Sequence, residues 1–459
     1  MEQITKPHCG ARLDRLPDCR WHSSMFAIVA FGLLVCWSNA VGGLILAQLK
    51  ALGWTDNSTT ATFSAITTAG MFLGALVGGI IGDKTGRRNA FILYEAIHIA
   101  SMVVGAFSPN MDFLIACRFV MGVGLGALLV TLFAGFTEYM PGRNRGTWSS
   151  RVSFIGNWSY PLCSLIAMGL TPLISAEWNW RVQLLIPAIL SLIATALAWR
   201  YFPESPRWLE SRGRYQEAEK VMRSIEEGVI RQTGKPLPPV VIADDGKAPQ
   251  AVPYSALLTG VLLKRVILGS CVLIAMNVVQ YTLINWLPTI FMTQGINLKD
   301  SIVLNTMSMF GAPFGIFIAM LVMDKIPRKT MGVGLLILIA VLGYIYSLQT
   351  SILLITLIGF FLITFVYMYV CYASAVYVPE IWPTEAKLRG SGLANAVGRI
   401  SGIAAPYAVA VLLSSYGVTG VFILLGAVSI VVAIAIATIG IETKGVSVES
   451  LSIDAVANK

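Results

Sequence analysis

This chain has little charge for its length. Asp, Glu, Lys and Arg make up 12% of its 459 residues, whereas hydrophobic residues make up 56%. A soluble domain carries roughly 25% charged residues, so this chain cannot cover itself with polar surface. The mean hydropathy of +0.72 agrees with the low charge. The composition therefore excludes an ordinary soluble protein and indicates a membrane protein.

The motifs of common enzyme active sites are also missing. The sequence contains no HExxH, no Walker loop and no GxSxG, and histidine occurs only at positions 8, 22 and 98. The seven cysteines show no CxxC spacing and mostly lie in apolar runs, which favours packing over metal ligation or disulfides. We therefore expect no enzyme activity, no metal site and no cofactor.

The sequence does contain many apolar runs of about 20 residues, the length that a hydrocarbon core demands. Twelve can be counted, near residues 24–49, 60–82, 90–107, 112–134, 148–171, 182–202, 262–288, 303–323, 330–348, 352–378, 391–415 and 418–440. Residues 1–22 are polar and basic, so we expect no signal peptide and expect the first helix to anchor the chain. The runs predict an all-α membrane protein with twelve transmembrane helices.

The placement of the basic residues predicts the orientation. The net charge is +9, but the bases concentrate in the N-terminal tail, the central loop and every second connecting loop. The other loops hold only Lys50, Arg181 and Lys299. This bias follows the positive-inside rule and predicts that both termini and the central loop are cytoplasmic. It argues against nucleic acid as a partner and for a lipid bilayer.

A charged loop recurs at a constant distance along the chain. The sequence GDKTGRRN spans residues 82–89, and DKIPRK begins 241 residues after the first aspartate. The helix before each loop has small residues at four-residue spacing: Gly70, Gly74, Gly78 and Gly82 in the first copy, and Gly311, Gly315 and Ala319 in the second. Such a face lets another helix backbone approach closely in lipid. Two features at one offset indicate a chain built from two copies.

The repeat and the charged stretch at 210–255 predict five segments. They are a cytoplasmic N-terminal tail (1–22), an N-terminal six-helix bundle (23–202), a cytoplasmic central loop (203–258), a C-terminal six-helix bundle (259–440) and a cytoplasmic C-terminal tail (441–459). The two bundles are expected to be pseudo-symmetric.

Polar residues inside the apolar runs are the candidates for substrate contact. Asn39 lies near mid-membrane, where an amide either joins helices or binds a substrate. Arg118 is costly in a membrane unless it is paired or hydrated; snorkelling to the interface is the alternative to a functional role. We predict a substrate-binding set of Asn39, Arg118, Asn157, Trp158, Asn277, Gln280, Tyr281, Asn285, Trp286 and Tyr372.

Five motifs together resemble the sugar-porter side of the major facilitator superfamily. They are GDKTGRRN, RFVMGVGLG, the ExxPxxxRG that begins at residue 138, PESPRWL and the ETKG after the last helix. The resemblance implies two six-helix bundles around a cavity that opens alternately to each side, with a cytoplasmic gate of charged residues. By position, that gate would use Asp83, Arg87, Arg88, Glu138, Arg145, Glu204, Arg207, Asp324, Arg328, Glu380, Lys387, Arg399 and Glu442.

The chain departs from sugar porters where their substrate and proton bind. Sugar porters typically carry QQ and then N in the seventh helix; this chain has Ala275-Met276 and Tyr281 there. Proton-coupled relatives often have an aspartate in the first helix, and this chain has Asn39, whose amide cannot titrate near neutral pH. Either Arg118 pairs with the carboxylate of an anionic substrate in a facilitator, or another acid such as Glu95 takes the proton.

The resemblance implies a secondary transporter in the bacterial inner membrane. We predict a monomer that moves a sugar, polyol or sugar acid by alternating access, with a coupling proton as a further candidate partner. Related facilitators of organic and aromatic acids share PESPR and the Glu-x-x-Pro loop, so an acid transporter with proton symport is the first alternative. A sensor of the same fold that does not transport is the second.

Overall fold

The computed structural model describes residues 7–17, 19–33, 36–140, 145–240, 253–323, 325–383 and 386–444. Within these ranges the chain is helical, with no strand. The helices are α1 (Cys9–Asp14), α2 (Arg20–Leu33), α3 (Trp37–Ala40), α4 (Gly42–Ala51), α5 (Asn57–Thr85), α6 (Arg87–Ala106), α7 (Met111–Tyr139), α8 (Arg145–Asn157), α9 (Ser159–Leu170), α10 (Ala176–Tyr201), α11 (Pro206–Ser211), α12 (Tyr215–Thr233), α13 (Tyr254–Leu257), α14 (Gly260–Thr293), α15 (Leu298–Met309), α16 (Gly311–Val322), α17 (Arg328–Ser347), α18 (Ile352–Val370), a π-helix (Cys371–Tyr377), α19 (Val378–Glu380) and α20 (Lys387–Ile439).

The predicted membrane runs all fall on these helices. Ten helical stretches of the described chain are long and apolar enough to cross a membrane. The last of them, Arg389–Ile439, is interrupted at Gly417, where φ is 65° and the backbone leaves the helical conformation. The fifth predicted run is formed by α8 and α9, which meet at Trp158. Dividing the last stretch and adding this pair gives the twelve that the sequence predicts.

By its own contacts the chain divides into two compact units. The first takes the described parts of 1–39, 70–159 and 184–246, and the second those of 40–69, 160–183 and 247–459. This division follows packing and not chain order. The five predicted segments, which follow chain order, stay a prediction.

Helix α5 packs on α7 in the first unit through glycine. A Cβ atom at Gly74 would overlap the backbone carbonyl of Val123, and one at Gly70 would overlap the carbonyl of Phe119. The two backbones therefore touch without side chains between them. Small residues are what allow this approach in lipid, where no hydrophobic effect drives helices together.

The second unit repeats this contact between α16 and α18. A Cβ atom at Gly315 would overlap the carbonyl of Thr364, and one at Gly311 would come 2.5 Å from the carbonyl of Phe360 in the same helix. The predicted role of both glycine faces is thereby confirmed. The repeated pattern in the sequence corresponds to a repeated helix pair in the structure.

The short helices α1 and α11 pack with α12 around a small apolar core, and ion pairs between α1 and α12 lie at its surface. Leu13 of α1 is buried with Trp208 of α11 and Met222 of α12. Arg12 of α1 binds the carboxylate of Glu226 at 2.6 Å and also pairs with Glu219. These contacts attach the first helix to the segment that the sequence places in the cytoplasm.

Candidate substrate and gating sites

The loop between α5 and α6 carries an ion-pair network in the first unit. The guanidinium of Arg87 donates from Nε and Nη2 to Oε1 of Glu138, at 2.9 and 2.8 Å. Its Nη1 donates to Asp83 at 2.8 Å. Arg87 and Glu138 are mostly buried, whereas the Asp83 side chain is 65% exposed. One arginine thus joins the ends of three helices, because Asp83, Arg87 and Glu138 lie on α5, α6 and α7.

Glu204 accepts the free N–H groups at the start of α6. Its Oε1 accepts from the backbone of Arg87 at 2.6 Å and of Arg88 at 3.3 Å. The tight approach requires Gly86, which has a φ of 94° and no room for a Cβ beside the Glu204 carboxylate. Burial raises the pKa of Glu204, and the bonds from the backbone offset this only in part. A carboxylate here also complements the positive end of the helix dipole.

The second unit contains the same network at the equivalent positions. Arg328 donates to both oxygens of Glu380, at 3.0 and 3.1 Å. Glu442 accepts from the backbone N–H groups of Arg328 and Lys329 at the start of α17, at 2.7 and 3.1 Å. Burial tends to raise the pKa of Glu442, but the backbone bonds and the charge of Arg328 prevail and lower it. The predicted repeat therefore extends to individual hydrogen bonds.

The remaining predicted gate residues have varied surroundings. Arg88 donates to the carbonyl of Trp199 at 2.5 Å. Arg207 donates to the carbonyl of Glu138 at 3.0 Å and to the carboxylate of Asp14. Lys387 is exposed and Arg399 is half-buried, and neither bonds to the networks in the described part of the chain. The side chain of Arg145 and the whole of Asp324 lie outside the described residues. The gating role of the whole set stays a prediction.

A cluster of polar and aromatic side chains lies within the membrane helices of the second unit. The rings of Tyr160 in α9 and Tyr367 in α18 lie 5.4 Å apart. Gln280 and Tyr281 of α14 lie beside Tyr367, and both are partly exposed. The Tyr367 hydroxyl is buried, but no group in the described chain meets hydrogen-bond geometry with it. A buried hydroxyl without a partner costs about 1–3 kcal/mol, so this one is a candidate ligand contact.

Asn305 extends this polar cluster from α15. Its Nδ2 donates to Ser164 Oγ on α9 at 3.0 Å, and its buried Oδ1 has no hydrogen-bond partner among the described residues. The sequence analysis did not select Asn305, nor Tyr160 and Tyr367. An amide inside an apolar run was the signal for Asn305, because that signal did select Asn277.

The structure places the other predicted substrate residues elsewhere. Asn277 donates to the carbonyl of Leu273 on its own helix at 2.7 Å, as Asn157 does to Ser153 at 2.8 Å. Tyr372 stacks on Tyr377 at 5.0 Å and lies near the Arg328 network. Asn285 and Trp286 are buried, and Trp158 lies against Phe154. The substrate role of all of them stays a prediction.

A second buried polar cluster lies in the first unit. His98 of α6 bonds Ser38 Oγ through Nε2 at 2.9 Å and Ser191 Oγ through Nδ1 at 3.3 Å. Arg118 of α7 donates to the backbone carbonyl of Ser38 at 2.7 Å. Arg118 is only 2% exposed, and Asn39, next to Ser38, is also buried. The guanidinium is therefore directed at the first membrane helix.

Comparison with known proteins identifies relatives along nearly the whole chain. Residues 25–406 match the family described as the Major Facilitator Superfamily. The inner membrane metabolite transport protein YdjE of Escherichia coli is 44% identical over 98% of this chain and 99% of that protein. The niacin transporter NiaP of Acinetobacter baylyi is 26% identical over 96% of this chain and 99% of that protein.

Among solved structures, a partially occluded inward open conformation of the xylose transporter XylE from E. coli has a TM-score of 0.73. It covers 93% of this chain and 100% of the XylE chain, at 18% identity. At that identity the likeness speaks for the fold alone. Together with the family match it confirms the predicted fold class.

Proposed function

Because this chain belongs to the major facilitator superfamily, we propose that it carries a small polar metabolite across the bacterial inner membrane by alternating access. Its relatives and structural neighbours are membrane transporters, so the chain is a metabolite transporter and the prediction that it is not an enzyme is confirmed. The cargo is proposed to bind at the polar cluster of the second unit.

The buried Tyr367 hydroxyl is the observation that carries this site: it lies beside Tyr160 and Gln280 but meets full hydrogen-bond geometry with no described group. A ligand hydroxyl placed there would satisfy it. The Oδ1 of Asn305, which has no partner among the described residues, offers a second contact, since the Asn305 amide bonds Ser164, one turn along α9 from Tyr160. Gln280 adds two donors and an acceptor, and the rings of Tyr160 and Tyr281 offer flat apolar faces. Amides, hydroxyls and aromatic rings together suit a sugar, a polyol or a sugar acid. XylE, which shares the fold of this chain, is a xylose transporter, and this is consistent with the proposed substrate class.

An organic or aromatic acid is the second candidate. NiaP is a niacin transporter, and the match to it spans nearly the whole chain. Arg399, on a membrane helix of the same unit, is half-buried, and its Nη1 has no hydrogen-bond partner in the described part of the chain. A guanidinium that is not used by the protein can bind a carboxylate through two parallel bonds. Arg118 is less suited to this role because it is buried and already bonds Ser38.

The two charged networks are proposed to form the gate. Each joins three helix ends of its own unit, through Arg87 in one and Arg328 in the other. Charged groups held this way can exchange partners as access alternates, and the difference in pairing biases the equilibrium between states. This keeps the cytoplasmic gate that the sequence motifs imply.

Counterflow exchange in proteoliposomes tests the transport function. Purified protein is reconstituted with unlabelled xylose, a sugar acid or nicotinate inside, and entry of the labelled compound is followed. We expect one class to exchange and Gln280→Ala to raise its half-saturation concentration. Gln294→Ala, at the exposed residue directly after the same helix, is the matched control and should behave as wild type.

The outcomes separate the candidates. Exchange of sugars that Arg399→Gln leaves intact supports the first class, and exchange of nicotinate that Arg399→Gln abolishes supports the second. Unchanged affinity in Gln280→Ala contradicts the proposed site. Binding of a compound, seen as thermal stabilisation, without any exchange would support a sensor instead of a transporter.

A further inference from the structure

Glu95 is an isolated acid inside the membrane. It lies in the middle of α6, a candidate membrane span, and is 0% exposed. The other acids of the described chain lie at the ends of membrane spans or outside them. Neither carboxylate oxygen of Glu95 meets hydrogen-bond geometry with any described group. An ionised carboxylate in such surroundings is costly, so the site favours the protonated, neutral form.

Groups that can exchange a proton surround Glu95. His98, one turn along α6, has its Nδ1 at 3.9 Å from Oε2 of Glu95. Ser191 of α10 lies beside both, and Cys36 approaches from the segment before α3. The other imidazole nitrogen of His98 bonds Ser38, whose carbonyl accepts from Arg118.

These contacts define the charges that act on the site. Arg118 is the one cation near the cluster in the described chain, and three contacts separate it from Glu95: Arg118 to Ser38, Ser38 to His98, and His98 to Glu95. A positive charge at that distance favours the ionised form of Glu95 only weakly, so the carboxyl can exist in both states. A neutral imidazole can accept a proton on one nitrogen while it donates from the other. The geometry therefore suits a reversible proton site more than a fixed ion pair.

Building on the proposed transport function, we propose that Glu95 is the residue that binds the coupling proton, with His98 passing the proton to and from it. On binding, an O–H bond forms at the Glu95 carboxylate as the N–H bond of the protonated His98 imidazole breaks; on release, the O–H bond breaks and the N–H bond forms again at His98. No other bond changes. This assigns the proton to the third membrane helix, since Asn39 in the first cannot titrate.

Infrared spectroscopy tests the titration without any substrate. The purified protein is titrated in lipid, and the carboxylic C=O stretch is followed in pH difference spectra, with its shift in heavy water as confirmation. We expect one buried carboxyl band that disappears in Glu95→Gln and remains in Glu177→Gln, an exposed acid at the start of α10. A spectrum with no band that depends on Glu95 would overturn the proposal.

Uptake into proteoliposomes tests the coupling. Wild-type protein is expected to accumulate the compound identified by counterflow when the pH gradient drives it, and to lose accumulation with a protonophore. Glu95→Gln should keep counterflow, which needs no net proton movement, and lose accumulation. His98→Gln should slow proton-driven uptake but keep the Glu95 band.

Failure of this proposal is distinguishable from failure of the proposed function. Accumulation by Glu95→Gln that a protonophore still abolishes places the proton elsewhere. Counterflow by the wild type without any response to the pH gradient makes the protein a facilitator and also overturns the assignment. If the wild type exchanges no compound, the transport function is contradicted, and the infrared titration still decides whether Glu95 binds a proton.

Discussion

The charge on Asp83 can be removed without disturbing the fold. In Asp83→Asn the backbone carbonyl still accepts from Trp208 Nε1 at 2.7 Å and from Arg212, so the loop stays anchored. What is lost is one ion pair with Arg87, four residues along the chain, in which the Asp83 carboxylate is exposed and the Arg87 side chain is mostly buried. If this charge serves the gate, transport will suffer although stability does not.

The structure sets the size of the expected effects. A pair of residues four apart with a well-solvated carboxylate contributes about 0.3–0.5 kcal/mol, so Asp83→Asn should lower the free energy of unfolding by less than about 1 kcal/mol. Glu138→Gln is different, because its side chain is 20% exposed and accepts two bonds from the same guanidinium. A hydrogen bond to a charged group contributes about 1.5–3 kcal/mol, so this change should cost several-fold more.

Thermal unfolding and counterflow, measured on the same preparations, separate the two effects. We expect Asp83→Asn to unfold with the wild type but exchange more slowly, and Glu138→Gln to unfold earlier and exchange more slowly. Glu217→Gln breaks an ion pair with Arg214 at the start of α12 in which both side chains are exposed, and it should change neither. If Asp83→Asn exchanges its substrate at the wild-type rate, Asp83 is not part of the gate. Early unfolding of that variant would refute the magnitude derived from its exposure.

Three further predictions concern packing, binding and pH. Gly74→Leu should prevent α5 from packing closely on α7, at an overpacking cost of about 1–3 kcal/mol or more. Gly79→Leu is the control and should fold normally, because nothing lies within 4 Å of its Cβ position. Equal yields of folded protein from the two variants would contradict the backbone contact. Tyr367→Phe should raise the thermal stability of the cargo-free protein, because it removes a buried hydroxyl without a partner in the described chain, but should weaken cargo binding about tenfold, the effect of one lost hydrogen bond, as seen in counterflow. Burial alone would raise the pKa of Glu226, but hydrogen bonds from Arg12 and Arg15 outweigh this effect and lower the pKa. The attachment of α1 is therefore complete above the ordinary pKa of about 4.3 and is lost as the pH falls below that value. Hydrogen exchange in α1 that does not rise with acid would contradict this.

The membrane helices and the charged loops were predictable because their physics is local. A bilayer core demands about 20 apolar residues, and the charged stretch around Gly86 between two such runs predicts a connection between two helices. The glycine face of α5 was predictable for the same reason, since residues four apart share one side of a helix. The repeat in the sequence then predicted the second copy, including Arg328.

The candidate site was predicted only in part, because it depends on which side each helix turns to its neighbours. Tyr367 and Tyr372 have the same side chain and lie five residues apart, but one joins Gln280 and the other lies near Arg328. Hydropathy does not distinguish them, and the π-helix that begins at Cys371 changes the rotation between them. Asn305 was missed although it shows the same signal as Asn277, an amide inside an apolar run, because α15 and α16 were interpreted only as a membrane span.

The bonds that Glu204 makes to the start of α6 also order the events of synthesis. Glu204 follows Arg87 by 117 residues, and in the second copy Glu442 follows Arg328 by 114. At roughly 5–20 residues per second, the ribosome makes the second partner on the order of ten seconds after the first. Until then the first N–H groups of α6 have only water or lipid headgroups to bond. In each half of the chain, the glutamate that follows the last helix completes these hydrogen bonds. The first half can therefore complete them before the second half is synthesised.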